Sequence, residues 1–532
     1  MSSHASPLPL RDTLGEPAGA GAASSPGGRA RALFPSRVAA RVGAFSLVLI
    51  AACSLLIVMM AADRPGLFAP TTHASFYPGW MAGPLGGLWP GLTRDGNTLR
   101  YMFTAAIVSM YAAYLLAIAY APRLRAGWAI TAILLVHAIF LIAPPMALTD
   151  IFNYVNYGRM EVVHHLNPYT TYPMLEPHSD PSFTLSNWHQ LLSPYGPLFT
   201  LLTFALVPLG VAGSFWAIKG IIAVASLATL FLVWKCARLL GRDPVAAIVL
   251  VGLNPIVLVW GLGGDHNDFL MMFLIVLGVF LLLSARARAE EKAGPKAEAG
   301  AHGAGPRAWL LPLSPPQIGA GAAFVTAAAI KASGGILIPV LLAGLLRTPR
   351  RLIQVLFGMV LAGVVLGTAS LTAFGLHIPD LSTQGRLVTA ESVPNLLGLA
   401  VGSGGETDTV RALMGAVLVG SLLACCVFAW RGQRSATTPG PRGDQTLSAC
   451  GWASVALLLT LSWVLPWYVI WVLPLAALSS SRRLRRAALV VGAYLIVAWA
   501  PASGLLWNAI GFHPERTPLG RLHQRYVKEL LN

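Results

Sequence analysis

Little of this chain is charged. Asp, Glu, Lys and Arg make up 11% of its 532 residues, and acidic residues are scarcest, 21 against 37 Lys and Arg. The resulting net charge of +16 would suit a nucleic-acid partner, but the basic residues do not gather into one patch. They sit in short connections between apolar runs: Arg123 and Arg125; Lys235, Arg238 and Arg242; Arg286 and Arg288; Arg347, Arg350 and Arg351; Arg482, Arg483, Arg485 and Arg486. Such clusters are what the positive-inside rule expects of cytoplasmic loops, and they argue for topology and headgroup attraction against nucleic-acid binding. Cysteine is also scarce. Cys53, Cys236, Cys425, Cys426 and Cys450 lie in or beside apolar runs, with no ligand-like spacing and no disulfide framework. No likeness between the two halves of the chain is visible, whereas a transporter or flippase would show an internal repeat.

What is present in quantity is apolar sequence. Hydrophobic residues reach 55% and the mean hydropathy is +0.66. Many runs are about 17 to 25 residues long, enough to cross a hydrocarbon core of about 30 Å as helix. Their Ala, Leu and Gly content suits helices, which satisfy their backbone internally, over barrel strands. The expectation is an all-α, polytopic transmembrane bundle of about 13 spans. A Ser/Ala/Gly/Pro-rich tail over residues 1–42 reads as disordered and cytoplasmic. The membrane domain then runs over 43–505. Residues 148–212 form an external loop with short interfacial helices, 286–308 and 431–446 are cytoplasmic linkers, and 506–532 is an external or interfacial end. Residues 198–210, interrupted by Pro208 and Gly210, read as a short interfacial or re-entrant helix.

Against this background the stretch Thr149–Pro173, TDIFNYVNYGRMEVVHHLNPYTTYP, stands out. It follows an apolar span, opens on Asp150, and packs Asn, Tyr, Arg, Glu and His into a short segment. With the basic clusters inside, it falls on the external face. So do the Gly263–Asp268 turn, Lys331, Arg386 with Glu391, and Pro466-Trp467-Tyr468. Ionisable groups beside apolar segments are costly and are functional by default. Gathered on one side, they describe a cavity opening outward.

Several motifs carry a family resemblance. They are Asp150-Ile151-Phe152-Asn153-Tyr154, Tyr157-Gly158-Arg159, Asn167-Pro168-Tyr169, Ser193-Pro194-Tyr195-Gly196-Pro197-Leu198 and Gly264-Asp265-His266-Asn267-Asp268, with Lys331 and Leu465-Pro466-Trp467-Tyr468. Over roughly residues 100–505 the chain resembles the integral-membrane glycosyltransferases of the GT-C fold. Among these it is most similar to the bacterial polyprenol-phosphomannose-dependent α-1,6-mannosyltransferases. Many members of the superfamily place the catalytic loop after their first span, whereas two further spans precede it here.

The resemblance implies transfer of a hexose, mannose first, from a polyprenyl-phosphate-linked sugar to a glycan or glycolipid acceptor. It implies a multi-pass protein of the bacterial cytoplasmic membrane with its site on the extracytoplasmic face. Asp150 is then the base that takes the acceptor proton; its alternative is to cap the helix it begins. Lys331 and Arg386 are candidates for the leaving phosphate, and Arg159 either joins them or orients the loop. Lys331 could instead snorkel. Asp265, His266, Asn267 and Asp268 would bind sugar hydroxyls, support Asp150 or cap a helix. Asn153, Tyr154, Tyr157, Asn167, Tyr169, Tyr195, Trp467 and Tyr468 complete the candidate substrate-binding set, the aromatics doubling as interface residues. No metal ligand or cofactor is assigned, although a divalent ion at Asp265 and Asp268 is conceivable. A GT-C enzyme using another lipid-linked sugar fits the same motifs.

Overall fold

The computed structural model describes residues 36–64, 78–92, 95–146, 149–293, 314–432 and 444–531. The tail to residue 35, part of the first loop and most of both linkers lie outside the described residues. All regular elements among them are helical, as a chain without alternating strands requires.

The helices are α1 (Ser36–Asp63), α2 (Gly96–Tyr120), α3 (Ala126–Leu141), α4 (Asp150–His164), α5 (Pro197–Leu206), α6 (Gly210–Leu239), α7 (Pro244–Gly252), α8 (Asp268–Ala293) and α9 (Pro315–Ile330). They continue with α10 (Ile338–Ala343), α11 (Pro349–Phe374), α12 (Val393–Ala400), α13 (Asp408–Arg431), α14 (Asp444–Thr460), α15 (Leu473–Leu478), α16 (Arg482–Trp499), α17 (Ser503–Ala509) and α18 (Pro518–Leu531). Among the described residues, six helices are long and apolar enough to cross a membrane, α5 and α6 counting as one, and the bent pair α16–α17 makes a seventh.

The polytopic helical bundle is as expected, but several crossings are built differently. The runs 245–262, 333–346 and 467–481, read as continuous spans, are broken. The first stops as α-helix at Gly252 and resumes as a π-turn over Val257–Leu262. The others begin as 3-10 turns and pass into α-helix at Pro339 and Pro474. Proline has no N–H to donate and disfavours helix in the residue before it, so each run yields short pieces. The short helix expected at 198–210 is present as α5, ended by a 3-10 turn at Val207–Leu209 and by Gly210 at φ 71°.

The two ends of the bundle differ in chemistry. Arg123 and Arg125 precede α3, Arg350 and Arg351 lie in the first turn of α11, and four arginines open α16. The opposite ends of those helices lead to Asp150, to Phe374 and to Trp499. One apolar core joins α1–α3 to α6–α10 and α14–α16. A smaller cluster of Trp188, Leu191, Leu387 and Leu530 seats α18 over the loop that follows α4. All five cysteines are free, and Cys426 is only partly buried where Cys425 is buried.

Candidate active site

Asp150 is the first residue of α4. The N-cap position belongs to Thr149, which makes no side-chain capping bond, so Asp150 does not serve as the cap. Its carboxylate suits the positive end of the helix and points elsewhere. The chain entering α4 is tied to the Gly263–Asn267 turn by Met146 N–H donating to Gly263 O at 2.8 Å. That tie brings His266 Nδ1 to 3.4 Å from Asp150 Oδ2. The His266 ring is buried and stacked on Trp467, centroids 3.5 Å apart and planes within 9°.

Two ion pairs hold this turn, one buried on both sides and one with its lysine partly exposed. Asp265 adopts φ 58°, a region that Asp tolerates better than most residues. Lys219 Nζ donates to both its carboxylate oxygens at 3.0 and 3.1 Å, with both side chains buried. Asp268, at the start of α8, accepts from Lys331 Nζ at 2.8 Å and from Trp471 Nε1 at 2.6 Å. Lys331 Nζ lies 5.1 Å from the centre of the Tyr468 ring and 5.8 Å from that of Trp471. Such cation–π contacts retain a charge where little water reaches. Gly196 brings the post-α4 loop to the same place. Its N–H donates to Ile330 O at 3.1 Å, and a Cβ there would stand 2.2 Å from Ala329 O.

Asp150, Asn153, Tyr157, Tyr195, Lys331, Trp467 and Tyr468 therefore line one cavity, closed by Trp188, Gln384, Leu387 and Trp463. Around it stand buried polar groups without hydrogen-bond partners: Asn153 Nδ2, both ring nitrogens of His266, the Asn267 side-chain amide and Trp467 Nε1. Leaving such groups unpaired costs about 1–3 kcal/mol each. That cost is recovered if a hydroxyl-rich ligand supplies the partners.

The remaining candidates lie apart. Tyr154 is buried behind the cavity, edge-on to Tyr195, with its hydroxyl 3.5 Å from Asn267 N. Arg159 is spent on a bidentate pair with Asp180 at 2.9 and 3.1 Å. Asn167 donates to Phe374 O, and Tyr169 donates its hydroxyl proton to Tyr195 O, so both brace the loop. Arg386 is exposed, while its neighbours Gln384 and Leu387 line the cavity. Reading the sequence missed Lys219, Trp188, Trp463, Gln384 and Trp471. Lys219 carried a signal, a lysine inside the apolar run SFWAIKGIIAV, where a charge is rare and functional. The tryptophans carried none. Among the described residues no group of three or more His, Cys, Asp or Glu could hold a metal ion, and Asp265 and Asp268 are each taken by a lysine.

Behind the cavity, Glu176 is buried with both carboxyl oxygens unpaired. Burial, with the Asp180 charge adding to it, pushes its pKa up to about 8. Burial acts on Asp180 in the same sense. Hydrogen bonds from Arg159, Ser182 and His164 outweigh it and hold that carboxyl below the usual range. The folded state thus keeps a proton on Glu176 that the unfolded chain releases near the ordinary Glu value. Its contribution to stability falls as pH rises from there towards 8. Glu176→Gln should remove this dependence and raise the melting temperature relative to wild type most at and above pH 8. Parallel slopes for the two proteins between pH 5 and 8.5 would contradict it.

Fold and site together define a polytopic helical membrane protein with an aspartate–lysine cavity where several helix ends meet. A family model described as alpha-(1->6)-mannopyranosyltransferase, N-terminal domain, matches residues 40–347, and an MptB C-terminal domain model matches 388–511. The chain belongs to the alpha-(1->6)-mannopyranosyltransferase family. It is 28% identical over 411 residues to an alpha-(1->6)-mannopyranosyltransferase of Mycobacterium tuberculosis, covering 66% of this chain and 65% of that one. It is 26% identical to alpha-(1->6)-mannopyranosyltransferase A of the same organism, covering 68% of each. Against alpha-(1->6)-mannopyranosyltransferase A of Corynebacterium glutamicum the identity is 29%, over 27% of this chain and 30% of the relative. The chain thus spans about two thirds of the length of its longer-matching relatives. No solved structure matches it. The first matched region supplies Asp150, the 265–268 turn and Lys331; the second supplies Trp463, Trp467 and Tyr468.

Proposed function

We propose that the chain is an inverting GT-C-type mannosyltransferase. In this reading it moves mannose from a polyprenyl-phosphate donor to a glycan or glycolipid acceptor, forming an α-1,6 linkage at the outer face of the bacterial cytoplasmic membrane. The observation that carries it is a carboxylate and a lysine lining one cavity beneath a helical bundle, among buried polar groups that lack partners. The relatives' names support mannose and the linkage.

The step is a single displacement. The acceptor hydroxyl oxygen attacks the anomeric carbon as Asp150 takes its proton, and the bond from that carbon to the phosphate oxygen breaks. The electron pair leaves on the polyprenyl phosphate, to which Lys331, one of its N–H groups already given to Asp268, donates with the others. Inversion converts a β-linked donor into an α-linked product. His266 beside Asp150, held by Trp467, positions the carboxylate, while Asn153 and Asn267 offer hydrogen bonds to sugar hydroxyls.

At about 60 Å³ the cavity is far below the ~300 Å³ at which small-ligand sites begin. The donor enters only when the lining parts. Its wall at Gln384 and Leu387 is a 3-10 turn and the residue that follows it, which yield more readily than packed helices.

Membranes overexpressing the chain, given a panel of radiolabelled polyprenyl-phosphate sugars, test the reading. Label should pass from the mannose donor into α-1,6-linked product. Transfer from another sugar alone would reassign the donor, and no transfer from any would remove the proposal.

A further inference from the structure

A second cavity of about 460 Å³ lies against Trp463. Its volume falls within the ~300–1,000 Å³ range of small-ligand sites. Trp463 lines both cavities, so they share a wall. That wall is fixed in place: Thr389 N–H donates to Ser462 O at 2.9 Å and Val464 N–H to Thr389 Oγ1 at 3.3 Å. The roof is α18, whose Gln524, His523 and Val527 face the cavity while Leu530 packs beside Trp188 and Leu387.

The linings differ in charge. The first cavity carries Lys331. The second carries no Lys or Arg, but two carboxylates, Glu391 and Glu515, with His523, Gln524 and the indoles of Trp463 and Trp499. Carboxylates and an amide accept or exchange hydrogen bonds with hydroxyls, and flat indoles cover the apolar faces of pyranose rings. Arg516 and His513 stand 3.7 and 3.4 Å from Glu515 but do not line the cavity, so the groups the lining presents are carboxylates and an amide, which disfavour a phosphate. Burial, with the Glu515 charge adding to it, raises the Glu391 pKa, which further suits a neutral polyol.

We propose that this cleft is the acceptor subsite. It binds a neutral mannooligosaccharide whose terminal hydroxyl passes Trp463 to reach Asp150. The assignment rests on the transferase reading for its direction, but not for the binding itself.

The test uses the purified full chain in detergent and α-1,6-linked mannotetraose as the probe, with Kd read by calorimetry and acceptor and donor KM read by transfer. Wild type and Asp150→Asn should bind the probe alike. Trp499→Ala, and separately the double variant Glu391→Gln with Gln524→Ala, should raise Kd and acceptor KM about tenfold, about 1.4 kcal/mol, leaving donor KM unchanged. Gln524 is exposed and Glu391 lies in a loop, so the double variant guards against a folding failure of Trp499→Ala. No binding to wild type, or equal Kd in every variant, overturns the cleft. Cleft-dependent binding without any mannosyl transfer supports the cleft and removes the transferase reading instead. Transfer with an acceptor KM indifferent to both variants removes the cleft and leaves the transferase standing.

Discussion

Asp150→Asn should lower mannosyl transfer by about 10²–10⁴-fold, the usual worth of a positioned acid–base group. The substitution keeps the size of the side chain and its place at the start of α4, and removes only the ability to take a proton. Because Asp150 is not the N-cap, no backbone hydrogen bond is lost with its charge. His266 Nδ1, 3.4 Å away, retains a polar neighbour. The melting temperature should therefore stay within the reach of an ordinary surface substitution, about 0.5 kcal/mol. The decisive measurement is single-turnover transfer from purified donor, with donor affinity measured separately. Retained turnover would remove Asp150 from the chemistry; equal losses of turnover and folded protein would make it a structural residue.

Lys219→Met should have the largest effect on stability. The pair with Asp265 is buried on both sides, and removing one partner leaves a carboxylate uncompensated in the bundle. Breaking such pairs costs about 3–5 kcal/mol, while replacing both partners by apolar groups is often neutral. Lys219→Met combined with Asp265→Gly should recover most of the loss, since glycine accepts the φ of 58° found at that position. The turn would survive in the double variant without its anchor. His266 would then keep its stacking on Trp467 and its contact with Asp150 on an unanchored turn, and transfer should recover less than stability does. Denaturant unfolding in detergent reads the first quantity and single-turnover transfer the second. A Lys219→Met protein as stable as wild type would show that the pair holds nothing.

Length and composition alone determined that this is a helical membrane bundle, because apolar runs of about 20 residues have no other economical way to satisfy their backbone in lipid. The same local logic marked Asp150, the 265–268 turn, Lys331 and Trp467 as unusual, since polar groups beside apolar spans are rare for energetic reasons. Their roles were not legible at that level. Arg159 read as a phosphate ligand or a loop brace, and only Asp180, 21 residues on, decides that it is paired. Asn167 and Tyr169 are typical site residues in composition, yet they are spent on Phe374 O and Tyr195 O. Broken spans also escaped a hydropathy reading, because Pro339 and Pro474 leave the apolar run intact while interrupting the helix.

Trp463 and Lys219 show the limit most plainly. Nothing around Trp463 in the chain hints that it separates two cavities, since its neighbours there come from residues 188, 388–391 and 520–527. Lys219 finds its partner 46 residues away. Helix formation and membrane insertion depend on residues within a few turns of one another, so the sequence suffices for them. Which carboxylate is paired, which amide is left open and which indole divides two cavities depend on contacts across the bundle, and the tertiary structure alone decided those.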